Sequence, residues 1–244
     1  MPEFSVCPLE VLGFVRLAVE VLQPRSGPWW VRFRDSVTGA EVVVSEAARE
    51  PRHYRRPDRQ GRGPVFSALV RSHSEARSRQ VLAADVKPVE RGRGLARRLV
   101  YTVLGPSRLH PLRVGLTVHL SAYSSTPHTF EAAAVARAEH AGPEALPPAH
   151  RWEEVFFFRM PEAAAALVEG YGWSADGEWV DTATRVVNGA FVPIPLGYHR
   201  VAALPDHEGR PRPLAYWWAY LALDPAWEKL PAALEAAKEA EDAE

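Results

Sequence analysis

The chain has 244 residues, 47% of them hydrophobic and 24% charged, with a formal net charge of -1. That length suffices for one large or two small cores. The near-neutral charge excludes binding of nucleic acid or an anionic membrane surface by bulk electrostatics. A single cysteine, Cys7, excludes an intramolecular disulfide and any cysteine-based metal site. The opening "MPEFSVCPLE" has no basic segment followed by an apolar core, and no apolar run approaches the ~20 residues needed to span a bilayer. The expectation is a cytoplasmic protein with neither nucleic acid nor membrane as a partner.

Read in chain order, the pattern is β. "FVRLAVEVL" (14–22), "WWVRFRD" (29–35) and "AEVVVS" (40–45) are short branched or aromatic runs, with a hairpin-like break at Thr38-Gly39. The stretch 46–64 is basic, rich in Pro and Gly and without periodicity, and reads as an exposed loop. "VFSALVRS" (65–72), "RQVLAADVKPVE" (79–90), "RRLVYTVLG" (97–105) and "LRVGLTVHLS" (112–121) follow. The same style continues through "VFFFRM", "ALVEGYGW" and "EWVDTATRVVNGAFVPIPLGYHRVAAL" to "LAYWWAYLAL" (214–223). Strands at short spacing with almost no helix between them predict an all-β sandwich or barrel, with enough strands for two units. The division falls near residues 85–95, giving segments 1–88, 89–226 and a tail, 227–244, whose Ala, Glu and Lys content predicts a C-terminal helix.

One stretch raises a chemical question. "WEEVFFFR" (152–159) sets two adjacent carboxylates at the head of a strand that must be buried on at least one side. Alternation places Glu154 with Phe156 and Phe158, and Glu153 with Val155 and Phe157. A carboxylate facing an interior is expensive unless it is paired or bound to a cation. Glu154 lies in the chain between His128 and His199, and imidazole with carboxylate suits a borderline divalent ion. By spacing alone the metal signal is weak, and a buried polar pair or surface residues explain the pattern better, since nine histidines and thirty acids offer many chance combinations. His110, His119, His140 and His207 lack paired spacing and read as surface or loop residues. "YWWAY" (216–220) reads as barrel wall or subunit contact.

The order "SS-x-P-H", then "EEV" with three aromatics and Arg, then "VP-x-x-GYH-x-V" resembles the 5-deoxy-glucuronate isomerase family of myo-inositol catabolism, itself related to the 5-keto-4-deoxyuronate isomerases. The likeness runs from about residue 86 to residue 223. It implies a bicupin, two β-barrel modules of the cupin superfamily, with the N-terminal one reduced here. It also implies a divalent metal, Zn or Mn or else Fe, in the C-terminal module. The matching ligand positions are His128, Glu154 and His199, with Glu153 facing away. Phe130 stands where the family has the second histidine of His-x-His. Three readings follow: a site of two histidines and one carboxylate, a site completed by His150, or a barrel that has lost its metal and serves for binding or assembly. The resemblance further implies a sugar-acid substrate, a homo-oligomer, and roles for Arg159 toward the substrate carboxylate and Tyr198 as a proton donor beside His199.

Overall fold

Three sheets account for the described strands, and the aromatic-rich one lies in the middle. The structure, a computed structural model, describes residues 4–8, 14–24, 30–45, 66–72, 78–91, 97–105, 107–120, 125–128, 152–161, 164–173, 178–194, 198–205, 208 and 214–223. The first sheet is an antiparallel meander of β1 (Phe4–Pro8), β2 (Leu17–Pro24), β3 (Trp30–Asp35), β4 (Glu41–Ser45), β5 (Ser67–Arg71) and β6 (Arg79–Leu82). The second contains β7 (Val89–Arg91), β8 (Arg98–Leu104), β9 (Leu112–His119), β11 (Trp152–Arg159), β14 (Phe191–Pro193) and β16 (Ala215–Ala222), in the order β14-β11-β16-β9-β8-β7. The third is β10-β15-β12-β13, built from β10 (Ser125–His128), β12 (Ala165–Trp173), β13 (Trp179–Val187) and β15 (Tyr198–Leu204).

The turns follow local chemistry. Gly39 closes the β3–β4 loop at a φ of 75°, and Gly189 follows Asn188 at 80°, backbone values that a side chain disfavours. Asp35 staples its loop: it accepts from Val37 N and Thr38 Oγ1 and takes both Nε and Nη2 of Arg16 at 2.7 Å. Burial would raise this carboxyl, but those hydrogen bonds and the Arg16 charge outweigh it and hold it below the usual range.

The middle sheet carries large apolar residues on both faces because both faces are covered. On one side Val155, Phe157, Trp217 and Leu116 share a core with Phe33, Val42 and Phe66 of the first sheet region. Phe66 meets the Trp217 ring edge-on at 5.1 Å. On the other side Phe156, Phe158 and Tyr216 pack with Ala166, Val168, Val201 and Ala203 of the third sheet. Among the described residues the N-terminal part is thus one sheet, whose apolar face is completed by the second sheet. Apart from one 3-10 turn (Ala83–Asp85), the described residues hold no helix. No helix there is long and apolar enough to cross a membrane. The expected helix at 227–244 and the basic stretch 46–64 lie outside the described residues.

One expectation is corrected here. His110 and His119 are buried, not superficial. The alternation of β9 shows Arg113, Gly115, Thr117 and His119 as its more polar face. That face is not left to solvent: a Cβ at Gly115 would meet the Trp218 ring, and Thr117 and His119 are buried.

Candidate metal centre between two sheets

The question posed by Glu153 and Glu154 has a two-sided answer. Both carboxylates are buried, at 5% and 9% exposure. Glu153 points to the first sheet, where it accepts backbone N–H groups from Val15 at 2.5 Å, Arg16 at 3.1 Å and Leu17. These amides open β2, so the carboxylate fastens the N-terminal sheet to β11. Glu154 points the other way, into the interior between the second and third sheets, on the same parity as Phe156.

His199 reaches that interior from the opposite wall. It is 1% exposed, and its ring lies edge-on to Phe156 at 5.1 Å. Register sets His128 directly beside it on β10, Gly170 beside it on β12 and Thr182 next on β13. The row therefore runs His128, His199, Gly170, Thr182 across the third sheet. Gly170 brings no side chain to it. A cleft of about 30 Å3 lies against His199, with Gly170, Thr182, Val192 and Ile194 in its lining. That is room for about one water molecule. Ile194 N donates to the Glu154 carbonyl at 2.8 Å, which ties this cleft to the strand that carries Glu154.

Across the second sheet, register places Glu154 beside Tyr220 and Tyr220 beside Arg113. The next rows inward are Phe156–Trp218–Gly115 and Phe158–Tyr216–Thr117. Phe156 stacks on Tyr216 at 4.6 Å. Arg98 and His119 form the last pair, both buried. Burial and then the Arg98 charge hold His119 down to about 3, so it is neutral at physiological pH. Burial drives the Tyr216 phenol upward; Arg98 and a hydrogen bond with Thr117 pull it back, and the Glu154 charge pushes it up again.

The donor set suits a borderline divalent cation. A buried carboxylate and a buried imidazole enter one interior from facing walls, with a second histidine adjacent by register. Among the described residues no three histidines, cysteines or acids gather as a cage. His128 enters by its strand register, and Phe130 and His150 lie outside the described residues. Arg159 is not brought to this interior. It is buried on the Phe157 side, its guanidinium 5.7 Å from that ring, and Nη1 donates to Asn188 Oδ1 at 3.3 Å. Tyr198 immediately precedes His199 on β15. Arg113 and Gly170 escaped the sequence reading, which takes Tyr220 only as barrel wall or subunit contact. The signal for Arg113 was present in the alternation of "LRVGLTVHL", but nothing local says that its polar face is roofed.

The described fold is thus all-β, with a buried carboxylate, Glu154, on one sheet and a buried imidazole, His199, on the sheet facing it. The KduI/IolB family description matches residues 59–209, more than half of the chain. The chain belongs to the KduI/IolB family. No relative among curated proteins matches the sequence. Among solved structures it is similar to an IolB-like protein from Salmonella typhimurium LT2, at 16% identity and a TM-score of 0.49, over 91% of this chain and 88% of that one. It is also similar to the Schizosaccharomyces pombe Cnp3 cupin domain, at 9% identity and a TM-score of 0.34, over 69% of this chain and 93% of that one.

Proposed function

We propose that the chain is a metal-dependent aldose–ketose isomerase acting on a uronic acid such as 5-deoxy-glucuronate in inositol catabolism. The observation that carries the reading is Glu154, a carboxylate buried on the same interior as His199 in a chain of the KduI/IolB family. We read the whole as a bicupin with a reduced N-terminal module, working as a cytoplasmic homo-oligomer. His128, Glu154 and His199 would hold a divalent ion, Zn or Mn or Fe, with His150 or an open position in the place that Phe130 leaves. When bound, such a cation supplies Lewis-acid polarisation of a sugar carbonyl. The chain supplies the rest. Phe156, Phe158 and Tyr216 exclude water from the inner end of the site. Tyr198, beside His199 on β15, is the residue that would give and take the proton. Arg159, on the other face, serves β11 through Asn188 and not the substrate.

A second reading rests on Phe130 and on the short N-terminal part: a non-catalytic cupin that binds a sugar acid or has an assembly role. Plasma mass spectrometry of untagged protein, with Glu154→Ala beside it, separates the two. About one metal per chain, lost in the variant, together with turnover of 5-deoxy-glucuronate, supports the isomerase. Metal-free protein after supplementation, with no turnover, refutes it. Phe130→His is expected to raise metal affinity by restoring a donor two residues from His128, as equilibrium dialysis would show.

A further inference from the structure

Arg113 has no place in the metal centre just described, yet it stands in its row. Its strand neighbours on β9 sort by parity. Leu112, Val114 and Leu116 belong to the core shared with the first sheet, whereas Gly115 meets the Trp218 ring and Thr117 meets Tyr216. Arg113 therefore faces the same interior as Glu154. Register puts Tyr220 between them, so the two residues are two strand spacings apart, roughly 10 Å between Cα atoms.

The surroundings of the guanidinium specify its ligand. Arg113 is partly buried, and its carbon centre lies 5.8 Å from the centroid of the Tyr220 ring. That contact uses the face of the Tyr220 ring, which is no hydrogen-bond acceptor of the kind that an N–H fork matches. Among the described residues no carboxylate pairs with it, and its Nε is buried without an acceptor. A shielded, unpaired guanidinium is matched by a planar anion that takes two N–H groups at once, which is a carboxylate. A six-carbon acid sugar extends roughly 6 Å from its carbonyl carbon to its carboxyl carbon. That length suits a ligand whose carbonyl lies at the Glu154 end of the row and whose carboxylate lies at the Arg113 end.

We infer that Arg113 is the anchor for the substrate carboxylate and the residue that selects acid sugars over neutral ones. The inference rests on the isomerase reading for the identity of the substrate, but the anion site can be tested separately. Full-length, metal-reconstituted protein is titrated calorimetrically with D-glucuronate and with D-glucose, and metal content is measured in parallel. Wild type is expected to prefer glucuronate. Arg113→Met is expected to keep its metal and lose on the order of 10- to 100-fold in glucuronate affinity. Arg113→Lys, which keeps the charge but not the fork, falls between. Should Arg113→Met fold poorly, Arg113→Gln takes its place with the same expectation. Glucuronate affinity unchanged in the neutral variants overturns the inference and leaves the isomerase reading standing. Arg113-dependent uronate binding without any isomerisation sinks that reading and supports the anchor. Metal-loaded wild type that binds neither sugar overturns both.

Discussion

Glu153→Ala tests whether one carboxylate holds the N-terminal sheet onto the site-bearing strand. The native side chain accepts backbone N–H groups from Val15, Arg16 and Leu17, residues separated from it by more than 130 positions in sequence. Truncation leaves three donors without their acceptor. Leu17 is buried, so its amide cannot recover a water partner, whereas Val15 is exposed and its amide can. At about 1–2 kcal/mol for each charge-assisted bond, discounted for the exposed donor, the loss is about 3–4 kcal/mol. In a chain of this size, that corresponds to a Tm lower by roughly 10 °C. Glu153→Gln keeps one carbonyl oxygen but turns an amide NH2 toward the donors, and is expected to lose about half as much. Thermal melts followed by circular dichroism and urea titrations followed by tryptophan fluorescence measure both. A Glu153→Ala protein within about 1 kcal/mol of wild type would refute the reasoning, because an ordinary surface substitution costs that little.

Two further outcomes follow from the second core. Gly115→Ala is expected to destabilise by about 1–3 kcal/mol or more, since a Cβ there collides with the Trp218 ring and the Tyr101 carbonyl; a melt within error of wild type would contradict the packing of β9 against β16. His119, held neutral down to about 3 by burial and by Arg98, takes up its proton only in the unfolded chain as pH falls below the ordinary imidazole value near 6.5. Its folded pKa is depressed, so its share of stability is lost as pH drops, by about 2 kcal/mol between pH 7 and pH 5. His119→Gln should flatten that part of the pH–stability curve, and an equally steep curve in the variant would show that His119 is not the group responsible.

Much of the fold was legible locally, for particular reasons. The runs "AEVVVS" and "VFFFRM" are too branched and aromatic to be anything but buried strand, and Thr38-Gly39 marks its turn because only Gly tolerates the φ found there. The opposite facing of Glu153 and Glu154 follows from a side-chain period of two and needs no tertiary knowledge. Their common burial does not follow. A strand with both faces covered looks in sequence like a strand with one, because large apolar residues fill both positions either way.

The sequence by itself determined the strands, the family motifs and the parity that turns Glu154, Phe156 and Phe158 to one side. Only the tertiary structure decided which sides are inside. Stacking the first sheet on the outer face of the second gave Glu153 its backbone amides. The pairing of β16 between β11 and β9 set Arg113 in the row of Glu154, and packing of the folded chain buried His119. Local sequence encodes which residues share a face through the pleat of one strand, but what covers that face is a property of segments far apart in the chain, brought together by the burial of their apolar surfaces.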